Sequence, residues 1–155
     1  MLLKKVVSFM LMIAVMVVIF TFSAQPRQTS NRVSTGITEM LVTPFTPIPP
    51  HTPESRLAIA QSLNGFIRKC AHFFLYAFLG VTALMFVQCY LPRGKAWLLA
   101  AAICLLYAAG DEFHQLFVPG RGAQIHDVLL DFCGSMAGSG AKMLLFYLFR
   151  FKKGR

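Results

Sequence analysis

Apolar positions in this chain fall into four long blocks separated by short polar breaks. The first follows Lys4-Lys5 and runs from Val6 to Phe22, about 17 residues, near the lower limit for crossing a hydrocarbon core. The second covers Ala71 to Leu91, and Pro92-Arg-Gly-Lys95 then makes a tight turn. The third, Ala96 to Gly110, is short by itself, but carried through Asp111, Glu112, His114 and Gln115 to Val118 it reaches about 23 residues and can span. After a loop at Pro119-Gly-Arg-Gly122 the fourth runs from Ile125 to Phe149. The pattern predicts an all-α membrane protein, a four-transmembrane-helix bundle with spans near 5–22, 71–91, 96–117 and 125–149, forming one membrane domain over residues 1–155.

The first block also has the position of a secretory signal. Such a signal has an apolar core of roughly 7–15 residues and small residues before the cut. Here Phe22-Ser23-Ala24 puts a phenyl ring where a small side chain is wanted, which favours a retained helix. Residues 23–65 are expected to form a long extracytoplasmic loop. From Gln25 to Pro50 it is polar and rich in Ser, Thr and Pro, ending in Pro44-Phe-Thr-Pro-Ile-Pro-Pro50, so an extended chain with polyproline character is predicted. Thr52-Pro53-Glu54 reads as a helix start. Leu57, Ile59, Leu63, Phe66 and Ile67 share one face, as in an interfacial helix leading into the second span, or alternatively a lid.

Composition removes the soluble alternatives. Of 155 residues 56% are apolar, with 15 Phe and 8 Met, and only 14% are charged, against roughly 25% in soluble proteins. A chain this short cannot hide that much apolar surface inside itself, so the surplus must face lipid. The net charge of +9 arises from cations flanking the apolar blocks, without the interleaved aromatics of a nucleic-acid surface; no nucleic acid is expected as a partner. Cys70, Cys89, Cys104 and Cys133 stand singly, without zinc or redox spacing, and are read as free thiols, a Cys70–Cys133 bridge being the alternative.

Cations also set the orientation. Lys4 and Lys5, Arg93 and Lys95, and the group Arg150, Lys152, Lys153 and Arg155 fall on one side of a four-span chain. Short cytoplasmic segments attract Lys and Arg, so the expected topology is N-in/C-in, with Lys142 reaching toward the cytoplasm from the last span.

Polar residues within the spans are few and gathered at one end. Arg68, His72 and Tyr76 form one stripe, Asp111 and Gln115 share a face with Glu112 beside them, and Asp127 and Asp131 repeat the one-turn spacing. A carboxylate at bilayer depth costs on the order of 3 kcal/mol, so such groups face a bundle interior and pair. Arg68, Lys69, His72 and Arg121 are the expected partners, Arg121 or Arg68 for the aspartate pair. The bland reading is a polar knot that staples helices; the sharper one is a ligand site. His72, Glu112, His114, Asp127 and Asp131 include suitable metal donors, but no H-E-x-x-H spacing occurs and cations lie close by, so no metal is expected. Gly134 and Gly138, with Ser135 and Ser139, form a small-residue stripe of the kind that brings membrane helices together.

Two segments resemble signatures of the VanZ-like membrane proteins: Arg68-Lys-Cys-Ala-His-Phe-Phe-Leu-Tyr-Ala-Phe-Leu-Gly80, and Asp111-Glu-Phe-His-Gln-Leu-Phe-Val-Pro-Gly-Arg121 followed by Asp127-Val-Leu-Leu-Asp131 and Gly134. Phe22-Ser-Ala-Gln25 is similar to a short element of that family. Some members carry an acid where this chain has Leu75. The resemblance implies a bacterial plasma-membrane protein related to teicoplanin-type glycopeptide resistance, with no established reaction and no cofactor. The residues it carries over are Lys69, His72, Tyr76, Asp111, Glu112, Gln115, Arg121, Asp127 and Asp131.

Two function classes follow. In the first, the site acts at the outer leaflet on an amphiphilic or lipid-linked substrate. His72, Glu112, Asp127 and Asp131 are then the catalytic candidates, and Arg68, Lys69, Tyr76, Asp111, His114, Gln115 and Arg121 the substrate-binding ones. In the second, the chain binds membrane lipids, a lipid-linked cell-wall molecule or a glycopeptide without catalysis, or assists envelope assembly.

Overall fold

A computed structural model describes residues 1–42 and 53–153. The described residues form five helices: α1 (Leu2–Ser23), α2 (Arg27–Val42), α3 (Pro53–Val87), α4 (Arg93–Gln115) and α5 (Ile125–Lys153). Four of them contain segments long and apolar enough to cross a membrane: Leu2–Ser23, Gly65–Val87, Arg93–Gln115 and Ile125–Arg150. Large side chains such as Phe74, Phe78, Leu98, Leu106 and Phe113 point outward, as expected when the surrounding medium is lipid rather than water. The second span stops short of Leu91 because residues 88–91 already form the turn to α4.

Two readings of the segment between the first two spans are corrected. Arg27–Val42 is a helix packed against α3, not an extended loop. Its sequence carried the signal: Val33, Ile37, Met40 and Leu41 recur at helical spacing, and the nearby prolines outweighed it. The polyproline stretch and Thr52 lie outside the described residues. The helix expected from Pro53 is present, but it is the beginning of α3 and not a separate interfacial element. No proline or other break interrupts the 35 residues of α3, which at 1.5 Å per residue make about 52 Å, well beyond the roughly 30 Å of a hydrocarbon core.

The most extensive interface joins α3 to α5, and small residues make it. A side chain added at Gly80 would meet the Ser135 carbonyl, one at Gly138 that of Ala77, and one at Gly134 that of Phe73. The expected small-residue stripe is thus where the two backbones touch. The hydroxyls along the seam donate back into their own helix, Ser135 to the Phe132 carbonyl and Ser139 to that of Met136, and so remain satisfied without water.

On α4 the buried stripe is Ala96, Ala100, Cys104 and Ala108, and it continues as Asp111, Glu112 and Gln115. The same helical face that packs the apolar core therefore delivers polar groups to the bundle interior at one end. Tyr76 and Leu79 on α3 and Ile19 on α1 complete the core beneath them. All four cysteines are free, as expected.

Candidate functional site

The polar end of the bundle encloses a cavity of about 80 Å³, room for two or three waters or one small oxyanion. It is lined by Arg27 at the start of α2, Arg68, Lys69 and His72 on α3, Glu112 and Gln115 on α4, Arg121 in the α4–α5 loop, and Asp127 and Asp131 on α5. The expected convergence of His72, Glu112, Arg121 and Asp127 therefore occurs. Tyr76 and Asp111 lie deeper, both buried.

Asp111 anchors a hydrogen-bonded chain. Its Oδ2 accepts from Ser23 Oγ at 2.7 Å and from Gln115 Nε2 at 3.2 Å. Gln115 Oε1 accepts from Arg121 at 3.3 Å, and the same guanidinium donates to the Phe22 carbonyl at 3.2 Å. Ser23 and the Phe22 carbonyl thus close the end of α1 against α4. Ser23 was absent from the candidate residues, although it stands in the Phe22-Ser-Ala-Gln25 element. Burial, with Arg68 nearby, lowers the Arg121 pKa from its ordinary value, yet an arginine keeps its charge throughout the accessible range.

Loop geometry holds Arg121 in place. Gly120 adopts φ 75, a left-handed conformation that glycine enters freely, and the Arg27 amide donates to the Pro119 carbonyl at 3.3 Å. On the other wall, Glu112 Oε2 accepts the Gln124 amide at 2.8 Å, which leaves its second oxygen for the cavity.

Lys69 reaches Asp127 at 2.9 Å, with side-chain exposures of 47% and 29%. The aspartate pair therefore does meet a cation, but it is Lys69 and not Arg121 or Arg68. An exposed pair of this kind contributes only about 0–1 kcal/mol. Asp131 differs sharply. It is 1% exposed, His72 Nδ1 stands 3.7 Å from its Oδ2, and neither oxygen has a hydrogen-bond donor among the described residues.

His114 is a further correction. It packs on Phe20 of α1, ring centroids 4.6 Å apart, and does not line the cavity. A step of three residues from Asp111 turns it about 60° away from the Glu112 side, toward α1. His72, Asp111 and Asp131 instead come together, each offering a ligand atom within 4.8 Å of the others. Asp111 was not counted among the metal donors in the sequence, because the three residues come from three helices and share no local spacing.

Beside the polar cavity lies an apolar one of about 160 Å³ between α2 and α3, with Val33, Ile37, Ile67, Ala71 and Leu75 in its walls. Arg68, His72 and Arg121 border both. Leu75 thus belongs to the apolar compartment.

No curated protein and no solved structure matches this chain. The VanZ/LLP1 family model matches residues 8–150, which include every cavity residue named above, most of the first span and all of the other three, and this multi-pass chain therefore belongs to the VanZ/LLP1 family.

Proposed function

We propose that the polar end of the bundle binds the anionic headgroup of a lipid-linked or amphiphilic envelope molecule at the outer face of the bacterial plasma membrane, with both chain termini in the cytoplasm. The observation that carries this reading is the pair of adjoining cavities. A small polar cavity bordered by Arg27, Arg68, Lys69 and Arg121 shares Arg68, His72 and Arg121 with an apolar cavity between α2 and α3. A headgroup phosphate fits the first and the start of an acyl or prenyl chain the second. Guanidinium groups suit phosphate oxygens through paired N–H donors. The free oxygen of Glu112 and the imidazole of His72 stand where an acid and a base would act on a bound headgroup, with Asp127 and Asp131 as the further carboxylates. Teicoplanin-type resistance follows if the bound molecule is one that the glycopeptide also engages.

The test uses the full chain purified in detergent and short-chain phosphatidic acid, with phosphatidylcholine as the comparison. Phosphatidic acid should bind in preference, and Arg121→Gln should weaken it by about tenfold or more, the equivalent of one charge-assisted contact. Equal binding of the two lipids, unaltered by Arg121→Gln, would sink the reading. In cells, Asp127→Asn should abolish any glycopeptide tolerance conferred by the chain at unchanged protein level.

The chain of contacts from Ser23 through Asp111 and Gln115 to Arg121 favours a second reading, a polar staple of α1 to α4. On that reading activity falls only as far as folded protein does.

A further inference from the structure

We infer that His72, Asp111 and Asp131 form a binding site for one divalent transition ion of the zinc or manganese class, at the floor of the polar cavity. Three helices supply the donors, His72 from α3, Asp111 from α4 and Asp131 from α5, and their ligand atoms all lie within 4.8 Å of one another.

The decisive distance is that from His72 Nδ1 to Asp131 Oδ2, 3.7 Å. It is too long for a hydrogen bond. Two ligands on one tetrahedral ion with bonds of 2.0–2.2 Å stand about 3.4 Å apart, so this separation needs only a small closure.

Unmet polar atoms point the same way. Asp131 is 1% exposed and Asp111 5%, yet both oxygens of Asp131 and Oδ1 of Asp111 lack a donor among the described residues. The Tyr76 hydroxyl, fully buried, is likewise unpartnered and lies within electrostatic reach of both aspartates. Buried polar atoms are nearly always satisfied, and a cation at their common centre would satisfy the three carboxylate oxygens together.

The neighbouring basic side chains do not occupy this place. Lys69 is engaged by Asp127, and Arg121 donates to Gln115 and the Phe22 carbonyl. Neither forms an ion pair with Asp111 or Asp131, so these two cations leave the centre between the three donors open. Two carboxylates and a neutral imidazole carry a charge of minus two, which one divalent ion balances. A nitrogen with hard oxygens suits zinc or manganese; calcium would want six to eight oxygens and copper(I) a thiolate.

His72 and Asp131 also line the cavity, whereas Asp111 and Tyr76 lie beneath it. The open coordination position therefore faces the cavity, available to water or to an anionic oxygen. The ion site stands on its own geometry and does not require the headgroup reading.

The test loads the full chain, purified in detergent with a histidine-free tag, with Zn²⁺ or Mn²⁺, followed by desalting and elemental analysis. About one ion per chain is expected. Asp131→Asn and His72→Gln should each weaken binding by at least the roughly 10–100-fold that loss of an outer-shell partner costs, and Arg121→Gln should keep the ion. Bound Mn²⁺ should show a single imidazole ¹⁴N coupling in pulsed electron paramagnetic resonance, a readout on the wild-type chain that survives any misfolding of the variants. Less than a tenth of an ion per chain, absence of that coupling, or Asp131→Asn binding like wild type overturns the site. One ion per chain without lipid selectivity would support this inference while defeating the headgroup proposal, and lipid selectivity without an ion would do the reverse.

Discussion

The two ends of the bundle both carry several cations and use them in opposite ways. At the basic end Lys4, Lys5, Arg93, Lys95 and Arg150 have no acid near them in sequence. Lys5 sits over the Tyr90 ring at 4.4 Å and Arg93 over Phe146 at 3.9 Å, while Lys142 donates to Gln88 at 2.5 Å. Aromatic faces, an amide and water suffice there, because most of these side chains reach out of the bundle. At the polar end Asp111, Glu112 and Asp131 are all at least nine-tenths buried, and Arg121 turns inward among them. Charge at the edge of a membrane bundle is ordinary where it can reach solvent. It calls for a functional account where helices hold it inside, since each buried carboxylate costs on the order of 3 kcal/mol.

The contrast can be broken most completely by topology. If the basic end faces the cytoplasm, as the positive-inside rule requires, a cysteine at Gly36 should react with an impermeant maleimide in intact cells, and one at Gly94 should not. Both positions leave open space for a side chain, and the experiment needs Cys70, Cys89, Cys104 and Cys133 replaced. Labelling at Gly94 would invert the orientation.

The seam that joins the two ends should give the largest effect on stability. Gly138→Leu drives a side chain into the Ala77 carbonyl, and backbone has no rotamer to yield. A loss of about 3 kcal/mol or more is expected, seen as a lower melting temperature or failed folding. A variant as stable as wild type would show that α3 and α5 are not in contact there.

Arg121→Ala should cost about 1–3 kcal/mol by leaving Gln115 and the Phe22 carbonyl without their donor, measured as a melting shift together with loss of anion binding. Asp127→Asn should separate stability from activity. The exposed pair with Lys69 contributes about 0–1 kcal/mol, far below the 3–5 kcal/mol expected were the charge buried, so melting should barely move while function is lost. The smallest change belongs to the basic end, where Arg93→Ala removes one exposed cation–π contact, about 0.5–1 kcal/mol, and leaves ligand binding intact.

Much of the architecture was legible from local pattern. Apolar block length predicts the four spans, and the one-turn spacings of His72 with Tyr76, Asp111 with Gln115, and Asp127 with Asp131 place each pair on one helical face. These properties depend on residues a few positions apart, and helical geometry converts spacing into direction. The helix α2 was legible too, in Val33, Ile37 and Met40, but Ser, Thr and Pro content spoke louder than periodicity.

What the tertiary structure decided is which face meets which. Ser23 reaches Asp111 across 88 positions of chain; Lys69, not Arg121, takes Asp127; His114 turns onto Phe20; and His72, Asp111 and Asp131 gather from three helices around one point. None of these follows from spacing within a helix. Each depends on how far the helices rotate about their axes and how closely they approach, and here the contacts of Gly80, Gly134 and Gly138 with carbonyls of the facing helix set that approach between α3 and α5. The sequence by itself determined that carboxylates would lie inside a membrane bundle at one end, and packing determined which partners they would meet.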